Sequence, residues 1–144
     1  MGGASRPDGR VVGVNSAPNQ ASQRAVTTSE LGRLVGDWLD WAEVAALLQV
    51  SVSKVRQLIK EHQLAAAVPA EGAGQRVPAG FVLDGHIVKG VPGVLTVLHD
   101  AGYDDREAIT WLFTADDSLP GRPIDALREN RGSEAKRRAQ ALGF

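Results

Sequence analysis

Two short amphipathic patterns separated by only three residues constrain this chain more than any other feature. They occupy residues 40–64. Asp40 can cap a first helix, with Glu43 completing a capping box. Val44, Ala45, Leu47 and Leu48 form its apolar face. Gln49-Val50-Ser51 interrupts the pattern. Ser51 can cap a second helix, in which Val52, Val55, Leu58 and Ile59 recur at the spacing of one inward face. Helix, short turn, helix is a helix-turn-helix signature.

The segment after Leu64 suits a wing. Residues 65–68 read as a short strand, 69–74 as a Pro/Gly/Ala-rich loop, and Gln75-Arg76-Val77-Pro78 as a return strand. A second hairpin is expected where Phe81-Val82-Leu83 and His86-Ile87-Val88 flank Asp84-Gly85. Pro78 is also placed to start a short helix. Upstream, Leu31, Leu34, Val35 and Trp38 have the spacing of one helical face.

The remainder is helical in pattern. Pro92 opens a segment lined by Val94, Leu95, Val97 and Leu98 and ending at Gly102. Asp104 can cap the next, with Glu107 as its partner and Ile109, Trp111, Leu112 and Phe113 apolar. Pro123 suits the first turn of a helix over 123–128, and 134–142 reads as a final short helix. The expected fold is mostly α: a winged helix-turn-helix with a small β-hairpin wing over 31–90, and a C-terminal helical subdomain over 91–144 packed on it. Residues 1–30 hold few bulky apolar groups and no period, and are expected to be a disordered tail. At 144 residues there is room for one domain, or for two very small ones sharing a core.

The absence of cysteine excludes a disulfide framework, a thiolate nucleophile and a cysteine-based metal site, and fits a reducing cytoplasm. No run approaches the roughly 18 apolar residues of a membrane span. Arg6, Asp8 and Arg10 break up any signal-peptide-like stretch. A cytoplasmic protein with no membrane partner is expected. The net charge of −1 is low for a nucleic-acid binder. The cations of the middle segment are clustered, but they are few, and the small number implies modest affinity and a shallow salt dependence.

That cluster lies on the second helix, 52–62, the candidate recognition helix. With its apolar face inward, Ser53, Lys54, Arg56, Gln57, Lys60 and Glu61 point outward. Arg can donate twice to guanine and Gln can pair with adenine, while Lys and Ser can hold phosphates. Gln75 and Arg76 would lie on the wing, near 69–77, within reach of phosphate or the minor groove. Glu71 in the wing loop would repel phosphate. Thr27, Thr28 and Ser29 are candidate phosphorylation sites, where added negative charge would weaken contacts to DNA.

The stretch Trp41-Ala-Glu-Val-Ala-Ala-Leu-Leu-Gln-Val-Ser-Val-Ser-Lys-Val-Arg-Gln-Leu-Ile-Lys, with Gln75-Arg-Val-Pro closing the wing, resembles the winged helix-turn-helix of excisionase and MerR-type proteins. Residues 38–144 resemble more closely a family of small actinobacterial DNA-binding proteins. Val88-Lys-Gly-Val-Pro-Gly-Val-Leu-Thr-Val-Leu-His-Asp-Ala-Gly-Tyr is the distinctive segment. The resemblance implies a regulatory role on double-stranded DNA. It carries the DNA-facing assignment onto Ser53, Lys54, Arg56, Gln57 and Lys60. A mycobacterial member is a Ser/Thr protein kinase substrate, which implies such a kinase as a partner.

Ala108-Ile-Thr-Trp-Leu-Phe and Asp117-Ser-Leu-Pro-Gly-Arg-Pro-Ile-Asp-Ala-Leu resemble the toxin-binding domain of Xre/MbcA/ParS-type antitoxins. This implies a protein-interaction surface around Trp111, Leu119, Pro123 and Phe144. The alternative function is therefore an interaction module, such as an antitoxin-like subunit. An enzyme is not expected. His62, His86 and His99 lie on three separate segments without metal-site spacing, and no glycine cluster fits a phosphate-binding fingerprint. The acidic pairs Asp104-Asp105 and Asp116-Asp117 sit where helix capping accounts for them. No catalytic group, metal or cofactor is assigned.

Overall fold

The structure, a computed structural model, describes residues 26–117 and 119–143. In chain order its elements are α1 (Thr28–Val35), β1 (Trp38–Leu39), α2 (Trp41–Leu48), α3 (Val52–Lys60), β2 (Val77–Pro78), β3 (Val82–Leu83), β4 (His86–Ile87), α4 (Val91–Asp100), α5 (Asp105–Leu112), α6 (Pro123–Arg128) and α7 (Gly132–Ala141). A single 3-10 turn, Ala79–Phe81, follows Pro78.

Local chemistry sets most helix starts. Asp40 and Asp104 each accept the N–H of the residue three positions on, while Glu43 and Glu107 return the bond to the cap backbone. Both capping boxes stand where the sequence places them. Thr27 and Glu30 form a third, with Glu30 N–H donating to Thr27 Oγ1 at 3.1 Å and Thr27 N–H donating to Glu30 Oε1 at 2.8 Å. This cap starts α1 at Thr28, three residues before Leu31. Residues 27–30, expected in the tail, are a helix start; residues 1–25 lie outside the described residues.

Trp38 departs from the expected helix. α1 stops at Gly36, and Trp38 pairs with Pro78 across an antiparallel β1–β2 ladder in which Leu39 faces Val77. The indole still turns towards α1, donating from Nε1 to the Gly32 carbonyl at 3.1 Å. The wing hairpin is shorter than expected. Of residues 65–68 only Ala67 makes a ladder contact, exchanging both backbone hydrogen bonds with Arg76 at 3.0 and 2.8 Å. The second hairpin forms with Val82 opposite Ile87 and Leu83 opposite His86. Asp84 and Gly85 at its turn both have positive φ, 52° and 80°, as a two-residue turn of this hand requires.

One apolar core runs through both halves of the chain. It joins Leu31, Val44, Val55, Leu64, Val77 and Phe81 to Val91, Leu95, Leu98, Ile109, Leu112 and Ile124, each fully buried. Each such side chain contributes roughly 1.5–3 kcal/mol over its exposed state. Phe81 meets Phe113 with ring centroids 5.8 Å apart. Arg128 Nη1 donates to the carbonyls of Gly80 and Val82 at 2.8 and 3.1 Å, fastening α6 to the 3-10 turn and to β3. The C-terminal helices are thus the second wall of the helix-turn-helix core.

Candidate nucleic-acid interface

The turn between α2 and α3 is fixed by backbone geometry. Gln49 takes a left-handed conformation at φ 58°, and the N–H of Val50 donates to the Ala45 carbonyl at 3.0 Å. Ser51 Oγ then accepts the N–H of Lys54 at 3.0 Å and starts α3. Val55 is wholly buried against the core, and Leu58 and Ile59 are half-buried. Val52 and Leu47, both expected inward, are 36% and 47% exposed. Both flank the tight turn between α2 and α3.

Ser53, Lys54, Arg56, Gln57 and Lys60 are all exposed, as the amphipathic pattern implies. Lys54, Arg56 and Lys60 make no ion pair with another described residue, so their charge is available. Gln57 is engaged, donating from Nε2 to Glu61 Oε2 at 3.0 Å. The first turn of α3 holds no acidic side chain, so its partly positive N-terminus adds to the cations beside it. Base edges are usually met by that end of a recognition helix.

The wing residues are not brought together on one face. Gln75 is exposed and lines a groove whose charged residues are Glu71, Asp104 and Asp105 against Arg106, so that acid outnumbers base. Successive side chains of extended backbone point to opposite sides. Arg76 is half-buried, with its guanidinium beside Gly74. Gln75 therefore faces acidic neighbours, and Arg76 is the wing residue better suited to phosphate. The loop itself packs against α1, because the Pro69 carbonyl sits where a side chain on Gly32 would be.

Thr27 and Thr28 line the same acidic groove. The Thr27 backbone N–H, and then its hydroxyl, hold the Glu30 carboxyl below the usual carboxylate range. A phosphate on Thr27 would replace a capping hydroxyl and stand beside that carboxylate. In the C-terminal part, Leu119 is 7% exposed and Pro123 is buried. Trp111 is half-exposed, and Phe144 lies outside the described residues.

Sequence reasoning missed one constellation. His62 follows α3, His99 lies near the end of α4 and Asp105 begins α5, yet the three meet in space. The sequence holds no short-range spacing that could have revealed it.

Known proteins share this architecture. A family model described as the winged helix-turn-helix domain of DNA-binding protein Rv2175c matches residues 34–82. A second, described as the Rv2175c C-terminal domain of unknown function, matches residues 88–143. The chain is 42% identical over 118 residues to DNA-binding protein Rv2175c of Mycobacterium tuberculosis, covering 73% of this chain and 80% of that protein. The NMR structure of Rv2175c superposes with a TM-score of 0.67 at 40% identity, over 75% of this chain and 82% of the other. With a helix-turn-helix, a short wing and a C-terminal helical part in the same order, the chain belongs to the Rv2175c family of winged helix-turn-helix proteins.

Proposed function

We propose that this protein binds double-stranded DNA through α3 and acts as a transcriptional regulator. The observation that carries the reading is the exposed face of α3, where Lys54, Arg56 and Lys60 stand without acidic partners among the described residues, beside an N-terminus capped by Ser51. The relative at 42% identity bears the name of a DNA-binding protein, which supports the same reading.

On binding, α3 enters a major groove. Ser53 and Lys54 meet the backbone at its entry, Arg56 and Gln57 reach base edges, and Lys60 holds a phosphate. Gln57 must exchange its bond with Glu61 for one to a base. Arg76 supplies the wing contact, and Gln75 contributes less. Residues 31–90 form the DNA-binding unit, and residues 91–144 brace it through the shared core. The antitoxin-like alternative is less favoured, because Leu119 and Pro123 are buried and Trp111 alone of the described trio is half-exposed.

Amide chemical-shift mapping on addition of duplex DNA tests this directly. Perturbations should concentrate on residues 51–60 and reach Arg76. Perturbations absent from α3, or confined to α5 and α6, would overturn it.

A further inference from the structure

We infer that His62, His99 and Asp105 form a site for a zinc-class divalent ion joining the end of α3 to the C-terminal helices. One nitrogen from each imidazole and one carboxylate oxygen lie within 4.8 Å of one another. Two histidines and one carboxylate, partly shielded from water, are a donor set that suits zinc and its neighbours over magnesium or calcium.

Two observations point to a ligand. His62 Nδ1 is buried and has no hydrogen-bond partner, an arrangement that costs stability unless something fills it. The φ of 61° at His62 belongs to the turn that closes the end of α3, where the N–H of Gln63 donates to the Leu58 carbonyl at 2.8 Å, and histidine takes it readily. The carboxylate is already oriented: Asp105 Oδ2 accepts the Ala66 N–H at 3.1 Å, and Oδ1 accepts from His99 Nε2 at 2.8 Å. The Ala66 bond, from outside the trio, is the kind of contact that aims a metal-binding carboxylate.

The imidazoles stack, with centroids 3.7 Å apart and planes inclined by 25°. Ring lone pairs lie in the ring plane, so in this stack they run side by side. Binding requires each ring to turn so that the nitrogens converge, with Asp105 giving up its bond to His99 for the ion. Water completes a four-coordinate shell. The ion would then bridge the residue that ends the recognition helix to α4 and α5.

The test uses the full chain treated with a chelator, without DNA, so its outcome is separate from the DNA-binding reading. Zinc is titrated by calorimetry, and cobalt(II) by its visible ligand-field absorption. The expected result is one saturable zinc per chain, a cobalt spectrum of tetrahedral intensity and a melting temperature that rises with zinc. His62→Asn, which tolerates the left-handed backbone, should weaken zinc binding by about tenfold or more. His99→Gln should do the same, and circular dichroism checks that both variants fold. No saturable zinc binding, unchanged affinity in both folded variants, or equal stabilisation by magnesium would overturn the site.

Discussion

Gly32 of α1 lies so close to Pro69 of the wing loop that a Cβ on Gly32 would overlap the Pro69 carbonyl oxygen. The wing is therefore seated on α1 through bare backbone. The Trp38 indole, bonded to the Gly32 carbonyl, closes the same corner. Gly32→Ala should force the loop away and lower stability by about 1–3 kcal/mol, as overpacking does elsewhere. Urea denaturation should report an earlier midpoint; an unchanged midpoint would show that the loop moves at no cost.

Ser51 caps α3 through a single side-chain bond to Lys54 N–H. Ser51→Ala should cost about 1 kcal/mol, and Ser51→Asp should restore most of it. Thermal unfolding of the pair separates the cap from packing, because both variants replace the same exposed side chain. Equal losses in both would refute the capping role.

Arg122 grips Asp125 with a two-pronged guanidinium, Nε to Oδ2 at 3.0 Å and Nη2 to Oδ1 at 2.8 Å, while the Arg122 N–H donates to Oδ2 at 3.1 Å. These bonds hold the Asp125 carboxyl below its ordinary range, the guanidinium contact first and outweighing partial burial. A carboxyl whose folded pKa is depressed adds stability above its unfolded value, near pH 4, and loses it as pH falls through the folded value. Asp125→Asn should be the less stable protein at neutral pH. The gap to wild type should close in acid, below about pH 4. Denaturation curves at several pH values check this, and a gap independent of pH would contradict it.

On α3 the roles of two cations should separate. Arg56→Ala should reduce discrimination between duplexes, whereas Lys60→Ala should weaken binding to all of them and flatten the salt slope by about one unit. Competition binding against unrelated duplexes measures both. Indistinguishable behaviour of the two variants would remove the distinction between base and phosphate contact.

The features legible in the sequence were mostly local. The capping boxes at Asp40 and Asp104, the break at Gln49-Val50-Ser51 and the Asp84-Gly85 turn each depend on residues a few positions apart. The outward set on α3 is the complement of the buried Val55 face. Long-range pairing was illegible: nothing near Trp38 announces that Pro78 will lie opposite it, so its helical spacing from Leu31 reads as one continuous helix. Leu47 and Val52 read as inward by helical period, which does not say which residues beside a turn the neighbouring elements will cover. The His62, His99 and Asp105 cluster needs the fold itself, since each residue comes from a different element. Leu119 and Pro123 look like surface anchors in sequence, yet both are buried in the folded chain.

Whether α3 carries the DNA contact is the central question. Fluorescence anisotropy of labelled duplex DNA at two salt concentrations, with wild type and a Lys54→Ala/Arg56→Ala/Lys60→Ala variant, tests it most directly. Wild type should bind in a salt-sensitive manner, and the folded variant should lose that binding. Undiminished binding by the variant, or no binding by wild type even at low salt, would contradict a DNA contact on α3.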